Sequence, residues 1–422
     1  MPKDLTDHPE RIALANELHA RPFPPIDAPS RVAHLAILCA DGAQVRGHLC
    51  ALLDRHGAQH PAPDARHWSG DLGRAFLKWE RHTEFVTYTL IVPGLDDRPF
   101  TSDPFGTMEA GWLDAAPGTV LTSAHVRVER AEDIAAAEAR ATGALAAQFV
   151  PESLALSRVV DGAGVVMTDY RVHEGGHARI AVVMIAGVGR RRTGRIVQRM
   201  LEIETYKAAA LLALPLAREV SGEVAALDTD LSALVGQMAR REGREGAALD
   251  RLLAMSARVE EISAQSAFRF GAQGAYAALV DQRIAVLREE RIGGRQTLAE
   301  FMMRRFEPAM RTCESAEGRL EALSSRLGRA ANLLRTRVDV GLARQNTELL
   351  ASMDKRAASQ LRLQETVEGV SVVAISYYAV GLLAYVLGPV AGGIGIGKAV
   401  LLAVVTPLVA LAVWWMLRRR QG

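Results

Sequence analysis

Residues 369–397, GVSVVAISYYAVGLLAYVLGPVAGGIGIG, hold no charged side chain, and after Lys398 neither do residues 399–417, AVLLAVVTPLVALAVWWML. A bilayer core of about 30 Å is crossed by about 20 apolar residues rising 1.5 Å each. Both runs reach that length, and the Gly/Pro-rich stretch 388–397 supplies a tight turn. The sequence therefore predicts a transmembrane hairpin over 369–417. A pair of buried core helices is the poorer reading, because two such runs stand back to back.

Basic residues near the ends of the spans set the orientation. Lys355, Arg356 and Arg362 precede the hairpin, Arg418, Arg419 and Arg420 follow it, and only Lys398 lies between the runs. This bias places both ends in the cytoplasm, with Trp414 and Trp415 at the inner edge. Cys39, Cys50 and Cys313 are odd in number and never spaced as C-x-x-C, which fits a reducing compartment. The opening residues are charged and proline-rich and carry no apolar run of signal-peptide length, so anchoring is expected from the C-terminal end alone.

Upstream of the hairpin, proline divides the remaining chain. Of 17 prolines, 13 fall within residues 1–151, and between Leu216 and Gly388 there is only Pro308. Because proline breaks helix interiors, residues 190–366 are free to form a bundle or stalk of long helices. Residues 1–187 read as a mixed α+β cytosolic domain. Strands are expected over 31–38 (RVAHLAIL), 83–92 (TEFVTYTLIV) and 122–130 (TSAHVRVER), and in SRVVDGAGVVMTDYRV and ARIAVVMIAG; the second alternates with period 2. Residues 131–149 are alanine-rich and predict one helix.

From Arg190 the period turns helical. A helix over 195–214 is expected to stop at Pro215, with the next reaching about Arg241. In 247–291, Met255, Val259, Ile262, Tyr276, Val280 and Leu287 share one helix face, Gly293-Gly294 marks a break, and Pro308 a kink or boundary. Leu342, Asn346, Leu349 and Met353 then form a seam with a/d-like spacing that resumes at Leu363, Val367 and Val370. Such a seam predicts helix packing within a bundle, with a free-standing coiled coil as the alternative, and the long helices predict a homo-oligomer.

Several motifs invite chemistry. His173-Glu174-Gly175-Gly176-His177 matches H-E-x-x-H, which binds zinc when both imidazoles share a helix face. Here the flanks are strand-forming, and two glycines cost a helix about 2 kcal/mol relative to alanine. The extended pattern fails too, with Ile180 and Val183 where a glycine and a third histidine belong. Glu202 and Glu204 stand at a distance where some peptidases carry a ligand. A hairpin turn is the better reading, and a metal-dependent hydrolase through His173, Glu174 and His177 the weakest alternative.

Arg190, Arg191, Arg192, Arg195 and Arg199 cluster in GRRRTGRIVQR, either attracting anionic lipid or an acidic partner, or simply lining a solvated helix start. Asn16, Glu17, His19 and Arg21 in ANELHARPFPP suit a binding loop or an N-terminal arm tied over the domain. Tyr377 and Tyr378 fall near mid-depth of the first span and suit bonding to a neighbouring helix, with pore lining as the alternative. With 50 Lys/Arg against 48 Asp/Glu and a net charge of +2, a nucleic-acid partner is not expected. Walker, G-x-G-x-x-G and G-x-S-x-G patterns are absent in suitable contexts, so no catalytic, cofactor-binding or metal residue is assigned and no cofactor is expected.

Two stretches carry a family resemblance: HPERIALANELHARPFPPIDAPSRVAHLA (8–36) and QLRLQETVEGVSVVAISYYAVGLLAYV (360–386), with RIVQRMLEIETYKAAALLALP between them. These resemble an uncharacterised bacterial family of membrane-anchored proteins, a domain of unknown function, along nearly the whole chain. The resemblance implies a place at the bacterial inner membrane and brings no activity. In layout alone the chain is similar to CorA-type ion channels, but Gly388-Pro389-Val390 stands where those carry Gly-Met-Asn. The function expected is a non-enzymatic scaffold, sensor or interaction module on the bilayer; a CorA-like channel is the alternative.

Overall fold

The computed structural model describes residues 7–17, 23–39, 41–240, 245–393 and 397–419. By internal contacts the chain forms two units, Met1–Gly328 and Arg329–Gly422.

The first unit is built on a nine-stranded sheet. After a short helix α1 (Arg11–Glu17) come β1 (Ser30–Leu38), α2 (Gly42–Arg55), β2 (His67–Asp71), β3 (Phe76–Arg81) and β4 (Phe85–Pro93). Then follow β5 (Thr119–Ala131), α3 (Ile134–Arg140), β6 (Ala155–Val159), β7 (Gly164–Val172) and β8 (Ala178–Ile185), with β9 (Glu290–Arg291) added much later. The spatial order is β2-β3-β4-β1-β5-β8-β7-β6-β9. The succession strand, helix, three strands thus occurs twice, and the two opening strands β1 and β5 pair antiparallel at the centre. The halves differ in their return: β4 runs antiparallel to β1, whereas β8 runs parallel to β5.

Both faces of the sheet are covered, which is why β1 reads as an almost unbroken apolar run. Helix α4 (Arg190–Leu211) and α6 (Glu245–Ala285) cover one face, where Val32, Val126, Ile180 and Val182 pack with Ile196, Met200 and Ile203. The opposite face carries two separate apolar clusters. Leu49, Leu52 and Leu53 of α2 cover Ala33, Leu35, Leu77, Trp79 and Tyr88. Ala137, Leu145 and Phe149 cover Val165, Ala181 and Val183. Strand β5 runs between these two clusters.

The helices differ from expectation where proline and glycine act. The alanine-rich stretch is one helix only to Arg140. It passes through a single wide turn and ends in a short 3-10 turn at Gln148, broken at Gly143 with φ −94° and ψ −114°. Pro215 does not end a helix: α4 closes at Leu211, and Pro215 sits in the first turn of α5 (Ala213–Ala239). N–H groups of a first turn have no acceptor inside the helix, so proline is tolerated there. Pro308 takes the same place in α8 (Glu307–Gly393), which follows α7 (Leu298–Arg305). On α6 the expected face is buried at Met255, Val259, Ile262 and Val280.

Helix α8 is continuous to Gly393 with Pro389 inside it, so the turn expected over 388–397 is confined to its later part; residues 394–396 lie outside the described residues. Helix α9 (Lys398–Arg418) follows. Both α8 and α9 contain a run long and apolar enough to cross a membrane. The seam residues Leu342, Leu349, Met353, Leu363, Val367 and Val370 are all exposed in the single chain.

Candidate functional site: polar networks on the two faces of the sheet

The face beneath α4 holds an internal polar network that begins with strand register. Lys78 pairs with Thr89 and Thr89 with His34, so β3, β4 and β1 present these three side chains in one row. In the adjacent row Glu80 faces Thr87. From above, Gln198, Glu202 and Thr205 project from one face of α4, being spaced i, i+4 and i+7. All but Glu202 are buried.

Lys78 Nζ lies 2.9 Å from Glu80 Oε2 and donates to Gln198 Oε1 at 3.1 Å. Gln198 donates on to Glu202 at 3.0 Å, and Glu202 is paired with Arg283 of α6. A cavity of about 150 Å³ adjoins this chain, lined also by Phe23, His34, His82 and Tyr206. That volume admits a few waters or a small polar molecule.

His34 fixes its own tautomer. Its Nε2 lies 2.9 Å from Thr205 Oγ1 and its Nδ1 2.8 Å from Thr89 Oγ1. The Thr205 hydroxyl spends its proton on the carbonyl of Leu201 at 2.8 Å, so it accepts from His34 Nε2–H. Nδ1 then accepts from Thr89. Burial, assisted by Lys78 and His82, pushes the imidazole pKa down to about 3, so the ring is neutral at physiological pH.

The opposite face carries a second network on β5. Its alternation sends Ala124, Val126 and Val128 toward α4 and leaves Ser123, His125, Arg127 and Glu129 between the two apolar clusters of the other face. Glu129 is 2% exposed and binds both Arg127 and Arg140. Burial pushes its carboxyl up, but hydrogen bonds from Arg140 and Arg127 outweigh that and hold it below its ordinary value. Four residues before Glu129, His125 Nε2 lies 3.1 Å from Asp103 Oδ1, an oxygen that also accepts from the Phe105 N–H at 2.9 Å. The ring of His177 stacks on His125 with centroids 3.9 Å apart, and its Nδ1 lies 2.7 Å from Ser123 Oγ. Burial and then the neighbouring His125 lower the His177 pKa. Burial raises Asp103, but hydrogen bonds from His125 and the Phe105 N–H bring it below its ordinary value.

The H-E-x-x-H stretch forms the β7–β8 turn. His173 N–H donates to the His177 carbonyl and Gly176 N–H to that of His173, each at 3.0 Å. Gly175 and Gly176 have φ of +93° and +84°, which glycine adopts without a Cβ clash. The two imidazoles take different partners: His173 turns to the fully buried Asp169 at 2.9 Å, and His177 to Ser123, while Glu174 is exposed. The shared helix face that this motif needs for zinc is not formed. Glu202 and Glu204 are engaged by Arg283 and by Lys207 with Thr122, respectively.

The arginine cluster lines a cleft of about 480 Å³, where Arg192, Arg195 and Arg199 meet Arg288 around Ile196 and Val286. Arg192 donates to the Val160 carbonyl and Arg199 to that of Val286. Of the N-terminal segment, His19 and Arg21 lie outside the described residues, as do the side chains of Asn16 and Glu17. Residues 23–27 lie along α4, with Ile26 N–H donating to the Arg190 carbonyl and Asp27 facing Arg190.

The pairings His34–Thr205, Lys78–Gln198 and Asp103–His125–His177 join segments far apart in sequence. Their one local signal is polar alternation in β3 and β5, which reads equally well as a solvent face. Fold and site together define a protein with an α/β sheet domain, long helices and two apolar C-terminal helices. The chain belongs to the family described as Protein of unknown function (DUF3422), whose model matches residues 6–422. No curated protein and no solved structure matches it, so the layout likeness to CorA-type channels gains no support.

Proposed function

We propose that the protein is a membrane-anchored scaffold or sensor of the bacterial inner membrane, with its sheet domain and both chain ends on the cytoplasmic side. The observation that carries this reading is the pair of apolar runs in α8 and α9, many of whose large side chains are exposed in the single chain. Val373, Leu382, Val404 and Leu408 are between 56% and 70% exposed. A lipid bilayer is the partner that satisfies such surfaces on two helices of spanning length.

The exposed seam from Leu342 to Val370 supports a homo-oligomer formed through α8. The cavity beneath α4 supports a sensor more than a passive scaffold. Its Lys78–Glu80 pair and neutral His34 form an interior polar site that a small polar ligand enters without disturbing the apolar core. In this reading the protein binds and signals and does not turn over substrate.

Alkaline carbonate extraction of membranes tests the anchor. The protein is expected in the pellet, and a chain truncated after residue 366 in the supernatant. Full-length protein in the supernatant contradicts the proposal.

A further inference from the structure

We propose that Asp103, His125 and His177 bind one divalent transition-metal ion of the Zn²⁺ class, with coordination positions left open to solvent. The three side chains come from separate segments: the loop before the 3-10 turn Pro104–Thr107, strand β5, and the β7–β8 turn. One ligand atom from each lies within 4.8 Å of the others. The 3.1 Å between His125 Nε2 and Asp103 Oδ1 is close to the roughly 3.3 Å edge of a tetrahedron with 2.0–2.1 Å bonds.

Positioning contacts are in place. Ser123 occupies Nδ1 of His177, leaving Nε2 for the ion, as a hydrogen bond to the far nitrogen does for many metal-bound imidazoles. The Phe105 N–H holds the Asp103 carboxylate. Two imidazoles and one carboxylate suit Zn²⁺, Co²⁺ or Fe²⁺; Mg²⁺ and Ca²⁺ prefer all-oxygen sets, and Cu⁺ prefers sulfur. The Asp103 side chain is 38% exposed, so the site meets solvent. Arg127, the next residue on that face of β5, is held by Glu129. Binding replaces the His125–Asp103 hydrogen bond and splays the stacked rings, now 19° apart, because each lone pair lies in its own ring plane.

This site differs from the H-E-x-x-H reading, since His173 takes no part. The test uses full-length protein in detergent, stripped with a chelator and titrated with Zn²⁺ against a chromophoric chelator of micromolar affinity. One Zn²⁺ per chain is expected. His125→Gln, His177→Gln and Asp103→Asn each weaken binding at least about tenfold, Ser123→Ala weakens it about tenfold, and His173→Gln changes it less than about twofold. The d–d bands of Co²⁺-loaded protein, absent in His177→Gln with an unchanged circular dichroism spectrum, report the same ligands independently of Zn²⁺ affinity. Wild-type protein that leaves Zn²⁺ with the chelator overturns the proposal. So does a loss of binding in His173→Gln equal to that in His177→Gln.

Discussion

His34 on the central strand and Thr205 on α4, 171 residues apart, are joined by a 2.9 Å hydrogen bond from Nε2 to Oγ1. That bond, with the one from Thr89, keeps a neutral imidazole in the interior between sheet and helix. It ties the sheet to the first of the long helices through one residue whose charge depends on pH.

The pH dependence of folding follows. His34 binds a proton in the unfolded chain near pH 6.5 but in the folded chain only near pH 3. Its contribution to stability is complete above pH 6.5 and is lost as pH falls toward 3, by about 2 kcal/mol at pH 5. Urea denaturation at pH 7.5 and pH 5 measures this. The gap between the two pH values is expected to shrink in His34→Gln relative to wild type, because other titrating groups are common to both proteins.

The ion pair beneath α4 has a characteristic mutational signature. Lys78→Met leaves the Glu80 carboxylate, 8% exposed, without its cation. A loss of about 3–5 kcal/mol is expected, most of it recovered in the double variant Lys78→Met/Glu80→Leu. Chemical denaturation of the three proteins forms the cycle, and additive losses contradict the pairing.

Close packing of α4 on the N-terminal segment is tested at Gly194. A Cβ there meets the Pro24 carbonyl oxygen at 1.9 Å, so Gly194→Ala is expected to destabilise by about 1–3 kcal/mol. At Gly222 on α5 nothing lies within 4 Å, and Gly222→Ala is expected to stabilise by about 0.5–1 kcal/mol. Thermal unfolding of the two variants compares them directly.

The buried carboxylate of β5 is the fourth energetic test. Glu129→Ala leaves Arg127, 7% exposed, without its carboxylate, at an expected cost of about 3–5 kcal/mol. Glu129→Gln keeps the shape and two polar atoms and is expected to cost less.

Strands whose residues are β-branched or apolar on both faces were legible: 31–38 became β1, 83–92 β4 and 122–130 β5, within a few residues of their ends. Strand β2, HWSGD, was not, because glycine, serine and aspartate are poor strand formers and its pairing with β3 supplies what its composition lacks. Helix α2 carries no strong periodic signal either, since its glycines and polar positions leave only a weak apolar stripe over Val45, Leu49, Leu52 and Leu53. The sites were less legible than the fold. Lys78 and Glu80 alternate with Leu77 and Trp79 as a half-exposed strand would, and only the arrival of α4 from residues 190–211 makes that face interior. His177 stands in an H-E-x-x-H context, yet its partners are Ser123 and His125, which no local spacing connects to it. Gly293-Gly294 and Pro308 marked true boundaries because backbone chemistry acts locally; tertiary pairing does not.

Topology tests the central claim of a cytoplasmic protein held by a C-terminal hairpin most directly. With Cys39, Cys50 and Cys313 replaced by serine, single cysteines are placed by Ser359→Cys and Lys398→Cys in the full-length chain. A membrane-impermeant maleimide applied to intact spheroplasts is predicted to label the Lys398→Cys protein, and the Ser359→Cys protein only after permeabilisation. Labelling of Ser359→Cys in intact spheroplasts, or of neither protein until permeabilisation, contradicts the account.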